Sequence, residues 1–349
     1  MTRFGKTKTL PTPDWLKNEK ERSLSSSSTI PASVDLAPPQ QQQQEGEKRE
    51  ELLTEEEHEL RYLLRRCEDM KNDPYPLSVD TLEDMFRPSG AERLKLVNNP
   101  MQQYGFIFNF DVILQTGSAD LEAWAKVAAS GDYLVDEEEA VRGSRESSPL
   151  EVCVGKVLGE REPVEARKLG MGFFEERNSL VLKEEYLEGL QVDDSCKKWM
   201  SNLVDSNCKI GCYSRLPRHI VDELITRTGL RPDALVTPDD GWDTLDQVVL
   251  GTSMGLMKQP SKCVVFDESP IAAIKTHEAG MKFIGLLGTY PRYELGVADK
   301  TIGDWEEMKM RDIRGVFGEE FELELEREVD DGLGGGGGGV RNRNNMRWD

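Results

Sequence analysis

The sequence predicts an α/β protein: a Rossmann-like parallel sheet with helices on both faces, a helical cap inserted after the first strand, and disordered termini. Three observations carry this. Short β-rich runs alternate with helical stretches between about 104 and 313. A charged interval with helical spacing separates the first run from the second. Both ends of the chain are poor in large apolar residues and biased in composition. Strands joined through helices imply parallel pairing, because a parallel return needs a crossover, and such helices cover both faces of the sheet.

Composition narrows the function classes. The 349 residues include 65 acidic and 44 basic ones, a formal net charge of −21, which argues against nucleic-acid binding through overall charge. No apolar run approaches the ~20 residues needed to cross a bilayer, so the sequence predicts a soluble chain with no membrane partner. Six cysteines (Cys67, Cys153, Cys196, Cys208, Cys212, Cys263) form no CxxC pair, and the histidines are only His58, His219 and His277. A zinc site or a disulfide framework is not expected, and a reducing compartment is.

The elements follow in order. Residues 1–50 carry Lys, Arg, Ser, Thr and Pro, then Gln40 to Gln44, with neither strand nor helix period, and are expected to be disordered. Their first acid is Asp14 and Ser25 to Ser28 are consecutive, as in an organelle transit peptide, whereas Asp14, Glu19 and Glu21 come early for one. Plastid and cytoplasm both stay open. A helical extension covers 51–100. In it Leu52, Leu53, His58, Leu60, Leu63 and Leu64 recur at helical spacing up to about Asn72, with Glu55 to Glu57 near the end where the helix dipole favours acids. The expected core spans 101–116 and 205–315. Its strands are Tyr104 to Phe110, Leu203 to Tyr213, Ala234 to Val236, Lys262 to Phe266 and Lys282 to Leu287, with helices near 217–228, 244–257 and 270–280. Between the two core pieces, 117–204 reads as a helical cap with Leu121, Trp124, Ala125, Val127 and Ala128 on one face, interrupted by an acidic loop from Asp136 to Ser148. Residues 316–349 form a tail with an acidic run from Glu319 to Asp331 and six glycines from Gly334 to Gly339.

In an open parallel sheet, ligands bind beyond the carboxyl ends of the strands, so the residues just after each run matter most. The first run ends Phe108-Asn109-Phe110-Asp111-Val112. The second continues Tyr213-Ser214-Arg215-Leu216-Pro217-Arg218, and a later one ends Val264-Val-Phe-Asp267-Glu268-Ser-Pro270. An insertion after the first strand, a hydroxyl after the second and paired carboxylates after the fourth resemble the haloacid dehalogenase superfamily over about 104–313. The segment Tyr290-Pro-Arg-Tyr-Glu-Leu-Gly-Val-Ala-Asp299 is similar to one in a plant chloroplast branch of that family, which includes an aminoribityl-uracil phosphate phosphatase.

The resemblance implies a phosphatase chemistry. An aspartate at the first position attacks phosphorus, and a second aspartate two residues on acts as acid and base. A hydroxyl and a lysine hold the phosphoryl oxygens, and carboxylates after the fourth strand bind Mg²⁺ with the nucleophile. By that pattern Asn109 stands at the nucleophile position, Asp111 at the acid/base position, Ser214 and Arg215 at the substrate, and Asp267 and Glu268 at the metal. A carboxamide has no anionic oxygen, and losing a nucleophile costs about 10⁴- to 10⁶-fold. A register shift making Asp111 the nucleophile would leave Ile113 as acid/base, which cannot serve. Val112 stands where the family usually has a small glycine. The third motif reads Gly241-Trp-Asp-Thr-Leu-Asp246, so Trp242 holds the lysine position, or Asp243 if the register slips by one. Lys258 and Lys262 are the nearest cations, at the far end of the following helix.

Each of these residues also has a purely structural reading. Asp111 could cap a turn, Ser214 could cap the helix that follows, and Asp267 with Glu268 could satisfy loop amides. His219 and His277 are expected on helix surfaces or in packing, Cys208 and Cys212 in the core, and Arg215 and Arg218 either facing an anion or on a helix surface. The sequence therefore predicts a catalytically degenerate phosphatase fold with a binding or scaffolding role, retaining Mg²⁺ weakly at most, its partner a small phosphorylated metabolite or a protein. Two rivals remain. One is a working Mg²⁺-dependent phosphatase of small phosphorylated metabolites. The other is a subunit of a plastid assembly acting through its N-terminal helix and tails, whose partner would be lost with residues 1–100.

Overall fold

The computed structural model describes residues 55–318, apart from Pro74, Asp132, 146–149 and 190–191. The expected disorder of 1–50, the targeting reading and the acidic and glycine tracts after 318 lie outside the described residues. The chain divides into two compact units, 1–62 and 63–349. Helix α1 (Glu55–Lys71) runs through the boundary. Its residues Leu60 and Leu64 are exposed, and in the second unit Cys67 and Met70 pack against buried apolar residues.

Six parallel strands form one sheet in the order β3-β2-β1-β4-β5-β6. They are β1 (Gly105–Asn109), β2 (Lys209–Tyr213), β3 (Ala234–Val236), β4 (Cys263–Asp267), β5 (Lys282–Leu286) and β6 (Lys300–Ile302). The chain builds outward from β1 to β3 and then returns to the other side of β1 with β4. That reversal opens a crevice between the carboxyl ends of β1 and β4, the usual place for a ligand in such a sheet. The register aligns Phe108 with Phe266 and Asn109 with Tyr213, so Asn109 and Asp267 end neighbouring strands.

Both faces are covered, which is why β1 and β4 are buried at every position. Alternation sends Phe106 and Phe108 to one face and Ile107 to the other. On the first face Phe108 stacks on Phe266, 4.7 Å between ring centroids, and Trp199 and Trp305 close around them. Trp199 belongs to α10 (Asp194–Asp205), so this helix packs on the sheet although its residues fall within the stretch expected to form the cap. On the second face lie α12 (Leu245–Leu256) and α13 (Pro270–Glu278). Gly211 of β2 admits α12 closely: a Cβ there would lie 2.5 Å from Thr252 Cγ2. Helix α11 (Arg218–Thr228) ends in the left-handed Gly229, the residue type such a cap favours.

Helices α2 (Val79–Met85) and α3 (Gly90–Asn98) belong to the expected extension, and α2 buries Leu82 in the second-face core. After β1 come the single turn α4 (Phe110–Ile113), α5 (Gly117–Ser130), α6 (Glu137–Arg145), α7 (Leu150–Val157), α8 (Pro163–Val181) and α9 (Glu184–Gly189). Helix α14 (Met310–Val316) is the last among the described residues, and Phe317 beyond it stacks on Tyr104 at 4.4 Å, so packing extends past the expected tail boundary at 316.

Two sequence expectations are corrected and one strand is added. Most of Asp136 to Ser148 is helix α6, not a loop: Asp136 Oδ1 accepts from Glu139 N at 3.0 Å, its acids occupy the favourable first turn, and Ala140 and Ser144 share one buried face. The second strand begins at Lys209, because Leu203 and Val204 complete α10. Strand β6 had no counterpart in the sequence reading, being three residues at an edge.

Candidate active site

Asn109, Asp111, Ser214, Arg215, Asp267 and Glu268 converge at the carboxyl ends of β1, β2 and β4, where the crevice opens. Asn109 closes β1 and makes two contacts that orient its amide. Its Oδ1 accepts from Asp111 N at 3.0 Å, and its Nδ2 donates to Asp267 Oδ2 at 2.8 Å. An aspartate could make only the first of these.

Asp267 is surrounded by donors. Tyr213 Oη donates to the same Oδ2 that receives Asn109, while Oδ1 accepts from Glu268 N at 2.6 Å and Ser269 N at 3.1 Å. Burial raises the Tyr213 pKa well above the ordinary value, and the neighbouring Asp267 charge raises it further, so the phenol keeps its proton and its donor role. The loop-amide role that the sequence offered for Asp267 is thus the one its Oδ1 plays. Glu268 turns elsewhere: Oε2 accepts from Thr289 N at 3.4 Å, and the side chain lines a cavity of about 370 Å³ with Gly288, Asp304 and Trp305.

Magnesium requires several oxygen ligands converging on one point. Here Asn109 presents a hydrogen-bond donor to Asp267, and both Asp267 oxygens receive protein donors. Among the described residues no group of three or more His, Cys, Asp or Glu side chains could hold a metal ion. The donor set does not fit the cofactor that the family resemblance implies.

Asp111 is held from three sides. Ser214 Oγ donates to Oδ1 at 2.5 Å, Arg215 N donates to Oδ2 at 3.0 Å, and Arg177 Nη2 donates to Oδ2 at 3.2 Å. Ser214 Oγ also accepts from Leu216 N at 3.0 Å, so it closes the turn before α11 while bridging to Asp111. Arg177 comes from α8, 66 residues away in sequence, and was not among the residues singled out from the sequence. Its Nε pairs with Asp120 Oδ1 of α5 at 2.7 Å, an ion pair without hydrogen-bond alignment. Arg177, Asp111 and Asp120 are all under 4% exposed. Burial opposes the Arg177 charge, and Asp120 and Asp111 more than offset it, leaving its pKa above the ordinary value.

A sequence signal for Arg177 existed. The buried face of α8 runs Ala166, Leu169, Gly170, Phe173, Arg177, Leu180. A cation in an apolar stripe must find buried carboxylates, and two are supplied.

Further contacts join the insertion to the strand ends. Arg215 donates through Nη1 to Ser144 O, and Tyr290 Oη donates to Arg142 O at 3.1 Å. Arg142 lies over the Tyr290 ring, 5.6 Å from its centroid. Trp242 packs its indole edge on Gly251, where a Cβ would lie 2.8 Å from Nε1, and lines a cavity together with Ser214 and Arg215. Asp243, the alternative at that position, is exposed and lines the same cavity.

Lys258 and Lys262 precede β4 and so lie at the opposite edge of the parallel sheet, where Lys258 Nζ donates to Gln102 O at 2.5 Å. They do not replace the missing lysine. Arg218 pairs with Asp240 at 2.7 Å, and His277 with Asp299 at 2.8 Å. Cys208 and Cys212 are buried, and burial pushes the Cys208 thiol up to about 11, in keeping with packing. No helix among the described residues is long and apolar enough to cross a membrane.

No family model matches the chain. The curated 5-amino-6-(5-phospho-D-ribitylamino)uracil phosphatase, chloroplastic, of Arabidopsis thaliana is 23% identical over 218 residues, 60% of this chain and 57% of that protein. The chain thus spans a little over half the length of that relative. Among solved structures, β-phosphoglucomutase from Clostridium difficile superposes with a TM-score of 0.51 at 15% identity, over 63% of this chain and 98% of that one. A haloacid dehalogenase hydrolase of family IA, variant 3, from Entamoeba histolytica gives 0.52 at 15% identity, over 62% and 99%. At such identities the structural likeness speaks for the fold. With the parallel six-stranded sheet and the helical insertion after β1, these likenesses show that the chain has the fold of the haloacid dehalogenase proteins it resembles, at a divergent sequence.

Proposed function

We propose that this protein has the superfamily's hydrolase fold but binds a ligand in its cleft without transferring phosphoryl groups. The observation that carries this reading is the 2.8 Å hydrogen bond from Asn109 Nδ2 to Asp267 Oδ2. It turns a site that would need two carboxylates and a metal between them into one that is neutralised by a donor and an acceptor. The Arg177 contact on Asp111 supports the same reading, since an acid/base carboxylate must exchange its proton with substrate. The occupant is a small metabolite or a protein partner, and the chloroplastic relative favours a plastid location.

A second reading, an active Mg²⁺-dependent phosphatase of a small phosphorylated metabolite, is favoured by that relative's name and by the retention of Asp111 and Ser214. Hydrolysis of 4-nitrophenyl phosphate by the purified full chain with Mg²⁺ separates the two, with Asp111→Asn as the background. No turnover above that background is expected. Turnover by the parent would overturn the binding reading and require a nucleophile other than a carboxylate at 109. If only Asn109→Asp is active, the remaining groups are competent and one substitution silenced them.

A further inference from the structure

A cavity of about 200 Å³ opens between the insertion and the ends of β2 and β3. The insertion contributes Trp124, Phe173 and Phe174, and the core contributes Tyr213 and Trp242, with Ser214 and Arg215 at the strand end. We propose that this cavity binds an uncharged, planar ring system of one or two rings.

The walls set the ligand's shape. Trp124 and Phe173 stack face to face with centroids 4.1 Å apart and planes at 14°, so the buried Trp124 fixes the plane of the Phe173 ring in front of it. The indole Nε1 of Trp124 is held by Ser144 Oγ at 2.8 Å, which prevents the ring from turning. Trp242 is fixed by Gly251, as described above. Rigid aromatic walls favour a flat partner, because stacking is gained without ordering side chains. Cavities of about 150 Å³ accept a single benzene ring, so this volume suits one ring or two.

The charges set its polarity. Among the described residues no lysine lines the cavity, and Trp242 stands where the family resemblance expects one. Arg215 lines it, yet its Nη1 is engaged by Ser144 O. Arg177 is committed to Asp111 and Asp120. Arg215 keeps its positive charge, but Asp243, the other charged residue of the lining, offsets it, and the chain as a whole carries −21, so a phosphate or carboxylate entering here meets no net attraction. This inference rests on the non-hydrolytic reading above.

The pair 2-naphthol and 2-naphthyl phosphate, titrated into the full chain and followed calorimetrically, tests it. Saturable binding of 2-naphthol is expected, at least tenfold tighter than that of the phosphate. Trp242→Ala and Phe174→Ala, one on each wall, should each weaken 2-naphthol at least tenfold, and Trp242→Lys should reverse the order of the two ligands. Trp242 Nε1 has no hydrogen-bond partner among the described residues, so its loss leaves no acceptor stranded. Three results would overturn the proposal: no saturable 2-naphthol binding by the parent, equal or tighter binding of the phosphate, or unchanged 2-naphthol affinity in a folded wall variant. Release of 2-naphthol from its phosphate by the parent would instead overturn the non-hydrolytic reading, and it is scored separately.

Discussion

Arg177 of the insertion reaches Asp111 at the end of β1, Nη2 to Oδ2 3.2 Å, with both side chains at least 96% buried. The contact joins two parts of the chain 66 residues apart, and the same guanidinium also pairs with Asp120. Deleting one member of such a buried network is more harmful than never having had it, since the remaining charges stay desolvated. Arg177→Met should therefore destabilise the protein by about 3–5 kcal/mol. Urea denaturation checks this, and adding Asp111→Asn and Asp120→Asn to Arg177→Met should restore a large part of the loss. A cost below about 1 kcal/mol for the single change would show that the network is not desolvated.

Asn109→Asp removes a donor and sets two carboxylates at hydrogen-bond distance. A loss of about 1–3 kcal/mol is expected without divalent cations. Millimolar Mg²⁺ should recover part of it, because a cation between the two carboxylates relieves their repulsion. Melting temperatures of parent and variant, with EDTA and with Mg²⁺, give the answer. A variant as stable as the parent in EDTA would contradict the role assigned to the amide.

Asp299 sits 19% exposed at the edge of the sheet. Burial raises its pKa, but hydrogen bonds from His277, Phe283 N and Lys282 outweigh burial and hold it below the ordinary 3.8. The folded state therefore favours the charged form. Its contribution is present above 3.8 and is lost as pH falls through the lower folded value. Asp299→Asn should lower stability at neutral pH by about 1–3 kcal/mol and flatten the stability profile below about pH 4. Denaturation midpoints across that range test the sign.

Gly211→Ala should cost about 1–3 kcal/mol by overpacking, since its Cβ would meet Thr252 Cγ2 at 2.5 Å. Thr252→Ser beside it should recover part of the loss by removing that methyl. Equal stability of the single variant and the parent would show that α12 can retreat from β2 freely.

Much of the architecture was legible before folding. Strands buried on both faces must be apolar throughout, so β1 and β4 stand out as Phe106-Ile-Phe108 and Val264-Val-Phe266 against charged neighbours. Helices α11, α12 and α13 are bounded by Pro217, Thr244 and Ser269 at their starts, which are local signals. Edge strand β6 escaped because Lys300-Thr-Ile302 buries one residue fully and has no period to read. Helix α6 escaped because its acids mask a buried face of small residues, Ala140, Gly143 and Ser144.

The positions of Asn109, Asp111, Ser214 and Asp267 were determined by the sequence alone, because strand ends in a parallel sheet gather whatever follows each apolar run. What these groups do was decided only by tertiary structure. That Asn109 donates to Asp267, that Tyr213 joins it there, and that Arg177 reaches Asp111 depend on contacts across 158, 54 and 66 residues. Local propensity and spacing carry no record of such distances. They are set by how the insertion and the sheet pack, and by the need of every buried charge for a partner.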